Sequence, residues 1–134
     1  MKKNCHFNIC TNPLTIIGLA LILNYSCAKN KESNKQLPAL STADLSNIRS
    51  TSAKSGGTII SDGGDSIIAK GVCWNTEQNP TIEKGKTSNG LGTASYTSNL
   101  TSLSANTKYY VRAYAINSVG IAYGNDVTFT TLHA

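Results

Sequence analysis

The chain has 134 residues, of which 14% are charged, and it carries 12 Lys and Arg against 7 Asp and Glu. The basic residues are scattered and form no aromatic and basic run of the kind found in nucleic-acid-binding modules, so nucleic acid is excluded as a partner. The low charge content and the many small polar residues favour short strands and tight turns over helices. We therefore expect one small all-β domain, without room for a large enclosed pocket.

Residues 1–26 have the three parts of an export signal. The start is basic, residues 14–23 form a ten-residue apolar run, and the small Ser26 directly precedes Cys27. Such a run is too short to span the roughly 30 Å hydrocarbon core of a bilayer, so it is predicted to be the hydrophobic region of a signal peptide. The folded domain is expected to begin after this segment.

The segment LNYSC at 23–27 resembles the lipobox of bacterial lipoproteins, in the looser form of Bacteroidota, with the leucine four residues before the cysteine instead of three. The resemblance implies cleavage before Cys27 and lipidation of its thiol, which anchors an exported protein to the membrane. Ala28, in place of the aspartate of inner-membrane retention, implies the outer membrane, on its periplasmic or its surface side. Residues 27–43 are predicted to be the lipidated N-terminus and a flexible linker.

The remaining cysteine of the predicted mature chain is Cys73, because Cys5 and Cys10 lie in the signal. It has no partner for a disulfide and no histidine near it in the sequence, so a packed, inert thiol is predicted. The sequence also contains no phosphate-binding loop, no metal-ligand spacing and no nucleophile with a nearby base. We therefore expect a protein that is not an enzyme and that needs no cofactor and no metal.

Turn-forming residues recur from residue 55 onward at the spacing of a β-sandwich, and the segments between them alternate apolar and polar residues. The predicted strands are 44–50, 52–60, 66–75, 93–99, 107–117 and 120–131, with a short edge strand within 81–87. This pattern predicts a domain over residues 44–132 that consists of two packed antiparallel sheets with about seven strands in total.

The end of the chain resembles the E-to-F corner and F strand of fibronectin type III domains. Leu103 is followed six residues later by Tyr109, and the apolar alternation continues through residues 111–115. Further pieces, similar to a fibronectin-like repeat of Bacteroidota cell-envelope lipoproteins, are GVCW at 71–74, NPT at 79–81, YVRAYA at 110–115, YGN at 123–125 and FTT at 129–131. The resemblance implies an immunoglobulin-like sandwich in which the Tyr109 hydroxyl bonds back to the backbone at the corner.

A candidate ligand face follows from the alternation around Tyr109, whose inward side chain places its sequence neighbours outward. The strand at 66–75 has two phases, and alternation alone does not tell which of them faces the core. If the phase that contains Val72 faces outward, an aromatic and cationic patch results, which suits a sugar or a protein. The patch would consist of Lys70, Trp74, Tyr110, Arg112 and Tyr114. In the other phase, the last three form a cross-strand ladder that stabilises the sheet.

Two further interpretations concern modification and function. The triplet at 65–67, Asp-Ser-Ile, resembles an O-glycosylation signal of Bacteroidota periplasmic proteins, which makes Ser66 a candidate site. The first functional hypothesis is a lipid-anchored, non-enzymatic envelope protein whose fibronectin-like domain mediates or spaces protein interactions. The alternative is a carbohydrate-binding lipoprotein that uses the aromatic face. The expected partners are the membrane, through the N-terminal lipid, and an unidentified protein or glycan.

Overall fold

A computed structural model of the protein describes residues 34–134. The predicted signal peptide, Cys27 and residues 28–33 of the predicted linker lie outside these residues. The described residues form eight strands: β1 (Ala39–Thr42), β2 (Ala53–Ser61), β3 (Ala69–Asn75), β4 (Gly85–Lys86), β5 (Tyr96–Leu100), β6 (Lys108–Ile116), β7 (Ile121–Tyr123) and β8 (Val127–Thr130). This part of the chain contains no helix that is long and apolar enough to cross a membrane.

The strands form two antiparallel sheets that pack face to face. One sheet has the order β1-β2-β5, and the other has the order β4-β3-β6-β7, with β8 also paired to β6. The predicted last strand, 120–131, is therefore split in two. Gly124 lies in the break, where its N–H donates to the Ala113 carbonyl at 2.8 Å, and the side chain of Asn125 accepts from the Thr42 N–H at 3.0 Å. The break thus connects the end of β1 to the second sheet.

The core lies between the two sheets and consists of residues that alternate along the strands. Val72, Leu100 and Val111 are fully buried in one group with Leu103, and Leu40 and Ile67 lie in a second group with Ala113 and Ala115. Because Val72 is directly opposite Ala113 in the pairing of β3 with β6, the two side chains share the inner face. This register settles which phase of the 66–75 strand faces the core.

The prediction of a first strand at 44–50 is wrong. The first strand is β1, which lies within the range predicted as linker, with Leu40 and Thr42 buried. Residues 44–50 belong to the connection between β1 and β2, where an isolated bridge joins Ser46 to Lys54. Leu45 and Ile48 pack from this connection against the core, which explains why the segment has apolar residues without being a strand.

The two ends of the described chain lie at opposite ends of the sandwich. Gln36 donates its N–H to the Gly63 carbonyl beside the end of β2, whereas Leu132 donates its N–H to the Arg49 carbonyl between β1 and β2. We call the first end the N-terminal pole, formed by residues 35–37, 60–68, 90–92 and 116–121. We call the other end the C-terminal pole, formed by residues 43–52, 101–107 and 131–134.

Candidate functional site

The five residues of the predicted ligand face do not share a face. In the pairing of β3 with β6, Lys70 lies opposite Ala115 and Trp74 lies opposite Val111, so both belong to the inner face. Tyr110, Arg112 and Tyr114 belong to the outer face, opposite the odd-numbered residues of β3. Of the two phases that the sequence left open, the one that would form the patch of five residues is not the one adopted, because a strand presents successive side chains to opposite faces of the sheet.

Lys70 is buried, although its charge favoured an outward position in the sequence. Its Nζ donates to the carbonyl oxygens of Gly92 and Ala94 at 3.0 and 2.6 Å and lies 5.2 Å from the centre of the Tyr96 ring. Two carbonyl groups and an aromatic face thus replace water around the ammonium group. The long side chain crosses the inner face and holds the segment before β5 against β3, so Lys70 is not available to a ligand.

Trp74 packs at the edge of the core, where it is half-buried against the first apolar group. Its indole ring covers Gly85, the residue opposite it in β4. A β-carbon at Gly85 would lie 2.5 Å from an indole carbon, so only glycine leaves room for the ring at this position. The sheet edge is therefore built around Trp74, and its ring does not lie on an open aromatic surface.

Arg112 lies on the outer face, and two of its three guanidinium nitrogens are bonded within the domain. Nε and Nη2 donate to the carbonyl oxygen of Pro80 at 3.0 and 2.7 Å, and Nε lies 3.5 Å from an oxygen of Asp126. The guanidinium also stacks 4.1 Å from the centre of the Tyr123 ring. The other oxygen of Asp126 accepts from the Asn79 N–H at 3.0 Å. Together these contacts hold the β3–β4 connection on the outer face of the sheet.

Cys73 lies beneath this connection and is fully buried. Its Sγ is 3.5 Å from the carbonyl oxygens of Pro80 and Arg112. Burial raises the pKa of the Cys73 thiol to about 11, so the thiol is protonated at neutral pH. The prediction of a packed thiol is confirmed, and a protonated, buried thiol is poorly suited to act as a nucleophile.

The two tyrosines of the outer face differ in exposure. Tyr114 is buried, and its hydroxyl donates to the Thr87 carbonyl at 2.6 Å, while burial raises the pKa of the Tyr114 phenol. Tyr110 is half-buried, and the Nζ of Lys108 lies 5.2 Å from the centre of its ring. Of the five predicted ligand residues, Tyr110 is thus the one whose ring lies at the surface of the outer face.

Tyr109 is the second residue of β6, at the corner that leads into the strand, and it faces inward. Its hydroxyl accepts a hydrogen bond from the Ser104 N–H at 2.9 Å, and its ring stacks on Phe129 with 5.7 Å between the ring centres. This is the contact expected for the corner tyrosine. It ties β6 to the connection that leads into it from the other sheet.

Ser66 lies in the exposed turn between β2 and β3. The neighbouring carboxylate of Asp65 accepts from the Ser118 N–H at 2.8 Å and pairs with the Nζ of Lys35 at 3.0 Å. Hydrogen bonds from Ser118, followed by the bond from Lys35, hold the pKa of Asp65 well below its usual range. No group of three or more His, Cys, Asp or Glu side chains that could hold a metal occurs within residues 34–134.

Sequence reasoning missed a set of exposed apolar side chains at the N-terminal pole. Among the described residues, the large apolar side chains that are exposed at this pole are Leu37, Ile60, Ile68, Leu91, Val119 and Ile121. The exposed apolar residue at the C-terminal pole is Leu132. Leu91 and Val119 lie in turns, where an apolar residue has no neighbouring strand to cover it. Apolar residues within predicted turns were therefore the signal that the sequence offered. Only the packing of the strands shows that these residues lie at the same end of the domain.

No protein-family model matches this chain, and no curated protein matches it. Several solved structures do. A human fourth fibronectin type III domain is 18% identical, with a TM-score of 0.57, and the match covers 82% of this chain and 92% of that domain. The sixth such domain of human fibronectin type III domain containing protein 3 is 17% identical, with 76% and 92% covered and a TM-score of 0.55.

A bacterial structure is also similar, namely the sensor domain of an anti-sigma factor of Pseudobacteroides cellulosolvens. It is 18% identical, the match covers 74% of this chain and 98% of that domain, and the TM-score is 0.55. These low identities show the fold alone. The described part of the chain is thus an all-β, fibronectin type III-like sandwich of two antiparallel sheets.

Proposed function

We propose that the protein is a lipid-anchored, non-enzymatic envelope protein whose fibronectin-like domain mediates or spaces protein interactions, as in the Bacteroidota lipoproteins that its sequence resembles. The observation that carries this proposal is the position of the two ends of the domain. Residue 36 lies at one pole and residue 132 at the other, about the length of the nine-residue β6 apart, or roughly 30 Å. A domain attached at its N-terminal pole holds its other pole away from the membrane.

The internal contacts of the domain suit a spacer better than an enzyme. Arg112 and Lys70, the charged residues of the predicted ligand face, are bonded to backbone carbonyl groups of neighbouring segments. The Cys73 thiol is buried and protonated. The Lys70 ammonium group and the Arg112 guanidinium therefore stabilise the fold. Lys70 holds the segment before β5 from the inner face of the sheet, and Arg112 holds the β3–β4 connection from the outer face.

The carbohydrate alternative loses its geometric basis. It required Trp74, Tyr110 and Tyr114 on one flat open face, because sugar rings stack on exposed aromatic surfaces. Trp74 lies on the inner face and Tyr114 is buried under the segment that contains Thr87. We therefore propose that the domain interacts with proteins and that the N-terminal lipid attaches it to the membrane.

The lipid anchor is tested by the mass and the location of the protein in cells that export it. We expect the membrane fraction to contain a chain that begins at Cys27 and carries the mass of its acyl chains. Cys27→Ser should shift the protein to the soluble fraction, whereas Cys73→Ser, as the matched control, should leave it in the membrane. An unmodified wild-type chain in the soluble fraction would overturn the proposal.

A further inference from the structure

The N-terminal pole differs from the rest of the surface in its exposed apolar side chains. Leu91 and Ile60 are 71% and 69% exposed, and Ile68 and Val119 are 56% and 47% exposed. They come from three of the segments that form this pole, and backbone hydrogen bonds join these segments, since Ile68 donates its N–H to the Ile116 carbonyl and Gly92 donates to the Ile67 carbonyl. Exposed apolar side chains concentrated at one end of a domain are typical of contact sites for proteins or membranes.

The chain joins the domain at this same pole. The side chain of Asn117, which is buried, donates to the carbonyl oxygens of Gln36 and Asp62 at 2.7 and 3.0 Å, and it also accepts from the Val119 N–H at 2.9 Å. The ion pair of Lys35 with Asp65 adds a further connection. The point at which the chain reaches the domain is therefore held firmly beside the turns that carry the exposed apolar residues.

The number of residues between Cys27 and the domain limits how far this pole can lie from a lipid on Cys27. Seven residue steps separate Cys27 from Asn34, and a chain of that length spans at most about 25 Å. A tether of this reach holds the pole at a high effective concentration next to the bilayer, in the millimolar range, so that a weak contact is sufficient.

We propose that the N-terminal pole rests on the bilayer, with its exposed apolar side chains inserted among zwitterionic headgroups. This inference rests on the proposed lipid anchor at Cys27. Insertion removes apolar surface from water, and this burial alone is favourable, so no attraction between opposite charges is needed. Of the charged groups described there, Lys35 pairs with Asp65, and a carboxylate oxygen of Asp62 accepts from the Gly64 N–H at 2.8 Å, so no excess of positive charge attracts the pole to anionic lipid. The contact is therefore apolar and does not depend on anionic lipid.

The test uses the chain from Cys27 onward, which contains the whole compact unit that begins at residue 33. Cys27 is coupled to a maleimide lipid in phosphatidylcholine and phosphatidylethanolamine vesicles, and the buried Cys73 is spared. Amide hydrogen exchange is compared with that of the same chain capped by a small maleimide. We expect a several-fold slowing of exchange in segments 62–68, 90–92 and 117–121, and no change in segments 44–50 and 102–106.

Matched variants assign the slowing to the apolar side chains. Leu91→Ser with Val119→Ser should abolish it, whereas Leu132→Ser, an exposed apolar residue at the other pole, should leave it intact. All these positions are exposed, so the variants should fold, which urea unfolding would verify. Slowing that is retained in the double variant would overturn the proposal, as would slowing that is lost in 1 M salt.

Other occupants of the pole give different results. Equal exchange in the tethered and the capped chain would overturn the proposal, and slowing that increases with the density of tethered protein would assign the pole to a second copy of the chain. Because the maleimide supplies the tether, none of these results depends on whether cells acylate Cys27. The mass of the cell-derived protein decides that question separately.

Discussion

The guanidinium of Arg112 donates two hydrogen bonds to the carbonyl oxygen of Pro80, a residue 32 positions earlier in the chain. This contact closes the β3–β4 connection over the outer face of the sheet and buries Cys73 beneath it. The charge-assisted bonds and the nearby Asp126 carboxylate make Arg112 a structural clamp, and this explains why a residue that seemed suited to a ligand is unavailable to one.

Arg112→Met should weaken the clamp and expose the thiol beneath it. We expect a loss of about 2 kcal/mol in the free energy of unfolding, because the Pro80 carbonyl and the Asp126 carboxylate lose their partner. In the chain from residue 28 onward, where Cys73 is the single thiol, the reaction with a disulfide reagent should also accelerate. Lys108→Met, an exposed position on the same strand face, is the control. An unchanged thiol reaction rate in Arg112→Met would contradict the clamp.

Tyr109→Phe should remove the hydrogen bond from the Ser104 N–H while it retains the stacking on Phe129. The expected loss is about 0.5 to 1.5 kcal/mol in the free energy of unfolding, measured with urea. Tyr110→Phe, one position along β6, removes a hydroxyl from the outer face and should have no such effect. Equal stabilities for the two variants would show that the corner bond contributes nothing.

The fluorescence of Trp74 should be that of a half-buried indole ring and should not change when sugars are added. As the single tryptophan of the chain, it alone accounts for the indole emission, which acrylamide should quench only in part. Trp74→Ala should cost about 3 kcal/mol in the free energy of unfolding, since the ring packs against the core. A shift of the emission upon addition of glycans would instead restore the carbohydrate hypothesis.

Asp65 should make the protein sensitive to acid. Its pKa in the folded state lies below the usual value of 3.8, so its carboxylate stabilises the fold above that pH, and the contribution is lost as the pH falls further. Asp65→Asn should lower the urea midpoint at pH 7 and reduce the change in midpoint between pH 7 and pH 3. Asp44→Asn, at an exposed position of the C-terminal pole, is the control. An undiminished pH dependence in Asp65→Asn would refute this role.

Ser66 is predicted to carry an O-linked glycan when the protein is exported by its own host. Its exposed position in the β2–β3 turn leaves the hydroxyl accessible to a transferase. The intact mass of the purified protein should fall by the mass of the glycan in Ser66→Ala, whereas Ser88→Ala, at another exposed position, should leave it unchanged. The same mass for wild type and Ser66→Ala would remove this site.

The sequence by itself determined the all-β fold and the inner face of β6, because apolar residues recur at every second position from Tyr109 to Ala115 and Tyr109 marks the corner. It could not determine the phase of β3, since both alternate sets contain apolar residues and a period of two has no preferred face. Only the register with β6, which places Trp74 opposite Val111, decided that Lys70 and Trp74 face inward. The cluster at the N-terminal pole likewise depends on pairing between segments that are distant in the chain, so tertiary structure alone brings Leu91 and Val119 to the same end.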